Sequence, residues 1–205
     1  MPCNLLNAAR MGNLLTKGVT YEADNVTIKR CLFCDIAADK QGSRKTPIAY
    51  EDEQVVVFAP LEKCALEHWL VVPRAHIRNA TTLQPTDLPI LKYMRDVGYQ
   101  VLKDKQPDVN LSKMQFCFHI EPFNSIAHIH LHCQVPPFIT PISAFKYKEG
   151  TSWCWSHDAV CSHVAIETTT RGCPATACYC KAFRWIYLFI KSLHNWWTIL
   201  CRVQK

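Results

Sequence analysis

The chain has 205 residues and a formal net charge of +6, with apolar and charged fractions of 49% and 20% that are typical of a soluble globular protein. Its lysines and arginines are scattered, without a run of roughly five or more like charges, which argues against a nucleic-acid partner. Twelve cysteines are many, and residues 1–30 lack the apolar stretch of a secretory signal. We therefore expect a reducing location, cytoplasmic or nuclear, with free or metal-bound thiols.

Residues 1–30 show no sustained helical or strand period, so we expect a flexible lead or a short extra helix there. A domain is predicted over residues 31–148. It opens with Cys31-Leu32-Phe33-Cys34 and a short helix near residues 35–38. Two cysteines at this spacing are compatible with a metal site and also with two small buried side chains.

The next segments predict strands and one long helix. Residues 48–51 and 55–58 indicate two strands joined by a tight turn, and a third strand over 68–73 ends at its proline. Apolar residues at spacings of three and four predict a helix over about 86–105. Gly98 within it predicts a close approach of helix and sheet, because glycine in a helix costs about 1 kcal/mol relative to alanine.

Two further strands are predicted over residues 114–119 and 128–135. Short connections between neighbouring strands favour antiparallel pairing, so the expected fold is α+β, a sheet of about five strands with one long helix and a short helix packed on one face. Residues 149–205 are predicted to form an atypical cysteine-rich tail. We expect much of 151–181 to lack order, whereas 182–203 has the apolar stripe of an amphipathic helix that could lie on a membrane surface, dock on a partner or pack on its own domain.

A row of histidines marks the last predicted strand. Along a strand, His128, His130 and His132 project from one face, and the apolar residues between them project from the other. Three histidines on one face disfavour one another's cationic form, which biases at least one towards the neutral, nucleophilic imidazole. The row is also compatible with an open zinc site of three nitrogens and a water, or with a half-exposed strand. The polar turn at 122–127 would place backbone N–H groups and the Ser125 hydroxyl beside the histidines, as a cradle for a phosphate.

The pattern His-φ-His-φ-His-φ-φ, in which φ is apolar, resembles the signature of the histidine triad (HIT) superfamily. The flanking segments Phe118-His119, 122–125 and 144–148 are similar to its Hint branch, in particular to the longer eukaryotic members that resemble adenosine 5′-monophosphoramidases. The resemblance covers roughly residues 31–148. It implies an antiparallel α+β fold that is usually assembled as a homodimer.

The resemblance also implies a mechanism and a substrate class, nucleoside phosphoramidates of purine nucleotides. His130 would attack the α-phosphorus and form a covalent nucleotidyl-histidine that water then cleaves, without a cofactor. His128 and His132 would donate hydrogen bonds to the phosphate and manage protons. Further substrate contacts are implied for three residues: Ser125, Asn124 and His68.

A structural zinc site is implied as well. Some HIT proteins bind zinc through a Cys-x-x-Cys pair, an upstream histidine and the first histidine of the triad. The corresponding ligands in this chain would be Cys31, Cys34, His76 and His128. A metal-binding protein built on these residues is therefore one alternative to an enzyme.

Two positions depart from the branch. Pro60 stands where branch members commonly have an aspartate that accepts hydrogen bonds from the ribose hydroxyls, and His119 stands where shorter Hint proteins carry an asparagine. We therefore expect weakened ribose recognition beside an intact nucleophile. A second alternative follows, a nucleotide-binding or scaffold protein with little turnover.

Overall fold

The computed structural model describes residues 18–23, 27–38 and 47–170, with side chains up to residue 166. Two short strands pair with each other: β1 (Val19–Tyr21) and β2 (Ile28–Cys31). The main sheet is antiparallel and has six strands: β3 (Ile48–Glu51), β4 (Val55–Phe58), β5 (Ala65–Pro73), β6 (Gln115–His119), β7 (Leu131–Phe138) and β8 (Cys154–Ser156). Its spatial order is β3-β4-β5-β7-β6-β8. The α-helices are α1 (Leu32–Ala37), α2 (Leu88–Lys105), α3 (Pro141–Lys146) and α4 (His157–Thr170). The predicted α+β fold is confirmed. The main sheet has six strands where about five were expected, and the pair of β1 and β2 is additional.

Helices cover both faces of the main sheet. One face packs against α2 and α4, through residues such as Val55, Val71 and Leu131. The opposite face packs against α1 and β1 through Val56 and Leu70. These residues are the sequence neighbours of Val55 and Val71, so their side chains lie on the other side of the sheet. The expectation that the helices lie on one face is wrong, because β4 is an apolar run buried along its whole length and needs cover on both sides.

Side-chain hydrogen bonds set the ends of two elements. In the predicted turn between β3 and β4, Asp52 Oδ1 accepts hydrogen bonds from the N–H groups of Gln54 (2.7 Å) and Val55 (2.8 Å). Helix α2 ends where predicted but begins slightly later, because a separate 3₁₀ turn precedes it. In that turn the Asp87 carboxylate accepts from the Gln84 N–H at 2.7 Å.

Helix α2 lies very close to the sheet at Gly98. A Cβ atom built on this glycine would overlap the sulfur of Cys133 in β7 and lie 3.3 Å from Val71 Cγ2 in β5. Real Cβ atoms do not tolerate such an overlap, so only glycine fits here without movement of the Cys133 side chain. The predicted close approach is confirmed.

Both ends of the described chain differ from expectation. The segment up to Cys31 contributes β1 and β2, where a flexible lead or a short extra helix was predicted. After residue 150, β8 pairs with β6, and Val160 and Val164 of α4 join the core. The His157 ring fixes the start of α4 by donating from Nε2 to the Leu91 carbonyl at 2.9 Å. The expected lack of order is therefore wrong for residues 151–170, while 171–205, including the predicted helix at 182–203, lies outside the described residues. Within the described part, no helix is both long and apolar enough to cross a membrane.

Candidate active site

The histidine row lies where β7 begins, on the sheet face that α1 covers. His130 and His132 alternate with apolar residues that lie in the opposite core, as predicted. The strand itself starts only after His130, because the Ile129 N–H bonds to the Ile77 carbonyl (2.7 Å) and not to a neighbouring strand. His128 thus lies in a bend just before the strand.

His130 is held as one neutral tautomer. Its Nδ1 lies 2.7 Å from the carbonyl oxygen of His128. A carbonyl can only accept, so Nδ1 carries the proton and Nε2 keeps its lone pair. Burial lowers the pKa of His130 against the opposing effect of this hydrogen bond, and the nearby Lys146 ammonium lowers it further. The residue therefore presents an unprotonated nitrogen at neutral pH, as a nucleophile requires.

His132 is oriented by a chain of hydrogen bonds that passes through His68. The backbone N–H of Cys64 donates to His68 Nδ1 at 3.4 Å, which makes Nε2 the protonated nitrogen of His68. This Nε2 lies 3.0 Å from His132 Nδ1, so Nδ1 accepts and the proton of His132 is on Nε2. His132 Nε2 is buried and has no hydrogen-bond partner among the described residues. A buried donor without an acceptor is costly, and an anionic oxygen would satisfy it.

Two residues that the sequence did not assign to the site complete this group. The His119 ring lies 4.7 Å from the His132 ring and 4.9 Å from the Tyr147 ring, and Tyr147 also lies 5.3 Å from His68. His119 Nε2 donates to the Lys146 carbonyl at 3.3 Å. Both residues belong to segments that resemble the Hint branch, which was the available signal. We call this group the histidine cluster: His68, His119, His130, His132 and Tyr147.

Burial keeps the cluster uncharged. It lowers the pKa of His68 to about 3, with Lys146 adding to the effect, and that of His119 to about 4. The pKa of His132 lies well below its ordinary range for the same reason. A bound phosphate would therefore meet N–H donors and lone pairs, not imidazolium cations.

The turn before the histidines places its two predicted residues differently. Asn124 is buried and donates from Nδ2 to the Ile126 carbonyl at 3.2 Å, so its amide stabilises the turn. Ser125 is exposed. A contact of either side chain with substrate stays a prediction.

A second group lies beside the histidine cluster. Cys31, Cys34, His76 and His128 come together, with one donor atom of each within 4.8 Å of the others. His128 Nδ1 lies 3.4 Å from both sulfurs, and His76 Nδ1 lies 3.3 Å from the Cys34 sulfur. A tetrahedral zinc site with two sulfurs and two nitrogens has edges of about 3.5 Å. The donor types and spacing of this four-ligand cluster therefore fit Zn²⁺.

His128 directs both ring nitrogens away from the histidine cluster. Its Nε2 donates to the Pro73 carbonyl at 2.9 Å, which leaves the lone pair on Nδ1, facing Cys31 and Cys34. The residue is fully buried, and burial lowers its pKa to about 3. Of the two roles predicted for His128, this geometry favours the metal ligand, because a phosphate contact would cost the ring one of these partners.

Comparison with known proteins identifies the family. A family model described as "Scavenger mRNA decapping enzyme C-term binding" matches residues 30–147, which is more than half of the chain and includes both clusters. The chain belongs to the histidine triad (HIT) family. HIT proteins are nucleotide-binding hydrolases, and this chain is a member of that hydrolase family.

Two similar HIT proteins show how far the likeness extends. The bifunctional adenosine 5′-phosphosulfate phosphorylase/adenylylsulfatase HINT4 of Arabidopsis thaliana is 37% identical over 120 residues, which are 58% of this chain and 78% of that protein. The adenosine 5′-monophosphoramidase HINT3 of Xenopus tropicalis is 31% identical over 137 residues, which are 66% of this chain and 88% of that protein. A solved HIT family hydrolase from Legionella pneumophila is 23% identical with a TM-score of 0.47, over 54% of this chain and 96% of that one.

Proposed function

We propose that this HIT protein hydrolyses the P–N bond of nucleoside phosphoramidates of the AMP-amine type, through a covalent nucleotidyl-His130. The observation that carries the proposal is the tautomer of His130, whose Nδ1–H bonds to the His128 carbonyl at 2.7 Å and leaves a lone pair on Nε2. The names of the similar proteins support derivatives of adenosine 5′-monophosphate, in which a leaving group is bound to the α-phosphorus, as the substrate class.

The proposed reaction has two displacements at phosphorus. In the first, His130 Nε2 forms a bond to the α-phosphorus while the P–N bond breaks, and the departing amine takes a proton. In the second, a water oxygen bonds to phosphorus, the P–Nε2 bond breaks, and a water proton is released to a base. His132 is suited to stabilise the phosphate in both steps, because its Nε2–H can donate a hydrogen bond to a phosphate oxygen. The proton that the departing amine takes comes from water, because a neutral imidazole that gave up its N–H would be left as an anion.

A second substrate is favoured by the plant relative, whose name includes adenylylsulfatase. In adenosine 5′-phosphosulfate the leaving group is sulfate, which needs no proton from the enzyme. The same attack of His130 on the α-phosphorus would cleave this substrate. Release of sulfate from adenosine 5′-phosphosulfate by the wild-type protein, and its loss in His130→Ala, tests this second activity.

We also propose that Cys31, Cys34, His76 and His128 hold a structural zinc ion, since two sulfurs and two nitrogens suit a closed tetrahedral site. When bound, zinc would cross-link α1 to the segments that carry the two histidines. Its presence is checked by elemental analysis of the reduced protein. A homodimer, a cytoplasmic or nuclear location and membrane-surface contact by residues 182–203 stay predictions.

The test is to trap the intermediate. Full-length protein is mixed with an adenosine phosphoramidate, quenched in the steady state and weighed intact. We expect an added adenylyl mass in the wild type and none in His130→Ala, with turnover falling to a few per cent or less. His163→Ala, a change at an exposed histidine of α4, serves as the matched control. Nucleotide binding without adduct or turnover in the wild type would instead favour the binding or scaffold protein.

A further inference from the structure

One residue, His128, belongs to both functional groups. Its ring Nδ1 lies 3.4 Å from the sulfurs of Cys31 and Cys34, while its main-chain carbonyl accepts the Nδ1–H of His130 at 2.7 Å. The other side of the ring is fixed by the Pro73 carbonyl. A fully buried residue held at these points cannot shift its ring without moving its peptide group, because the surrounding core is close-packed.

The Phe33 ring is a second connection between the groups. It lies between the two cysteines in sequence and meets His128 edge-on at 6.0 Å and His130 edge-on at 5.1 Å. Helix α1, which carries it, has six residues, and its N-cap Cys31 makes no capping hydrogen bond through the side chain. So short a helix is not stable alone, so its position depends on packing and on what binds its sulfurs.

From this geometry we propose that Cys31 and Cys34 are positioning residues for the nucleophile. A zinc ion in the four-ligand cluster fixes the ring of His128, and the His128 carbonyl then keeps His130 in the tautomer with its lone pair on Nε2. Without the metal, only the Pro73 carbonyl and the surrounding packing hold the ring, so the His128 peptide turns more readily and a fraction of His130 adopts the other neutral tautomer. The inference rests on the proposed role of His130, but the tautomer is measurable without turnover.

Nitrogen NMR of the imidazoles tests the proposal directly. Full-length ¹⁵N-labelled protein is recorded under reducing conditions with zinc, after removal of zinc by a chelator, and after zinc is restored. With zinc we expect one form of His130, protonated at Nδ1. Without zinc we expect intermediate or doubled signals that revert when zinc returns. An unchanged His130 spectrum in protein shown to be metal-free overturns the proposal, as does a failure of the protein to bind zinc.

Cobalt gives a second measurement that needs no folded metal-free protein. Co²⁺ bound by two sulfurs and two nitrogens absorbs visible light, and coupling between two sites is reciprocal. Calorimetry first establishes that AMP binds to the protein. Addition of AMP to the Co²⁺-loaded protein should then shift its visible absorption. An unchanged spectrum at saturating AMP overturns the coupling. If AMP does not bind, the proposed function fails, and the comparison of the His130 signals with and without zinc still decides the present proposal.

Two cysteine variants separate positioning from mere stability. In Cys34→Ser we expect the mixed His130 signals and a kcat about 10- to 100-fold lower, the usual cost of disturbing residues that orient a ligand. Cys161→Ser changes a partly buried cysteine of α4 on the other side of the sheet, and it should leave both readouts unchanged. A Cys34→Ser protein with lower stability but a wild-type kcat and His130 spectrum would show that the cysteines are only structural.

Discussion

His68 decides which nitrogen of His132 carries a proton. The Cys64 N–H donates to one side of its ring, and the other side donates to His132 Nδ1 at 3.0 Å. The Cys64 N–H can only donate. As long as both rings are neutral, each ring nitrogen along this path therefore has one possible role, as donor or as acceptor. This path of hydrogen bonds ends at His132 Nε2–H, the group that we propose donates a hydrogen bond to the phosphate.

Replacing His68 should therefore act on catalysis through His132. In His68→Ala we expect kcat to fall roughly two- to tenfold, because the lost hydrogen bond between two neutral rings is worth about 0.5 to 1.5 kcal/mol and it fixes the tautomer of His132. His68→Gln keeps a donor and an acceptor and should recover part of the rate. Steady-state kinetics with an adenosine phosphoramidate provide the measurement. A wild-type kcat in His68→Ala would remove His68 from the mechanism.

Pro60 bears on recognition of the sugar. Its side chain has no acceptor, and its backbone has no N–H. Loss of a hydrogen bond to a charged acceptor costs roughly 1.5 to 3 kcal/mol, so we expect weak discrimination between ribose and deoxyribose. The ratio of kcat/KM for adenosine and 2′-deoxyadenosine phosphoramidates should rise in Pro60→Asp. A strong preference for ribose in the wild type would mean that another residue makes this contact.

At the level of elements, α2 approaches β7 closely at Gly98. Gly98→Ala would gain helix propensity but would force its Cβ against the Cys133 sulfur. We expect a net loss of about 1 to 3 kcal/mol in the free energy of unfolding, as is typical of overpacking. Urea denaturation measures it. In a Cys133→Ala background the sulfur is gone, and the same change at Gly98 should cost much less; equal costs in both backgrounds would contradict this account.

The sequence predicted the elements that are stabilised by residues close in sequence. It did not predict those that depend on residues far away in sequence. The strands around Asp52 follow from alternation and a turn whose side chain bonds its own backbone. Strand β8 has three residues and depends on pairing with β6, so no local pattern reveals it. In the site, the row of histidines and the four ligands could be found from sequence. The path from His68 to His132 and the inclusion of His119 depend on which strands lie side by side.

At the scale of the whole molecule, buried neutral histidines make stability depend on pH. The pKa values of His68, His119 and His132 are lowered by burial, to about 3 and about 4 for the first two. An unfolded histidine titrates near 6.5. Below that pH the unfolded chain binds protons that the folded protein cannot, so stability present at pH 7 is lost as the pH falls towards 4.

Each such histidine contributes about 1.4 kcal/mol per pH unit, so we expect these three alone to lower the free energy of unfolding by about 4 kcal/mol per unit below about pH 6. His128 and His130, whose pKa values burial also lowers, add to this slope. Urea denaturation at pH 7, 6 and 5 measures this slope. In His119→Asn the slope should be smaller by about 1.4 kcal/mol per pH unit, whereas the exposed His163→Asn should leave it unchanged. A slope near zero in the wild type would show that the rings are protonated while folded.

His132 Nε2 is shielded from solvent and has no hydrogen-bond partner in the described part of the chain. A phosphate oxygen can reach this atom only after a covering side chain has moved, so the closed arrangement of the cluster is not the one that binds. Binding would then draw on a less populated open form, and the apparent affinity would be reduced by the fraction of molecules that are open. An opening step of this kind limits how fast substrate enters and product leaves, whatever the rate of the chemistry at phosphorus.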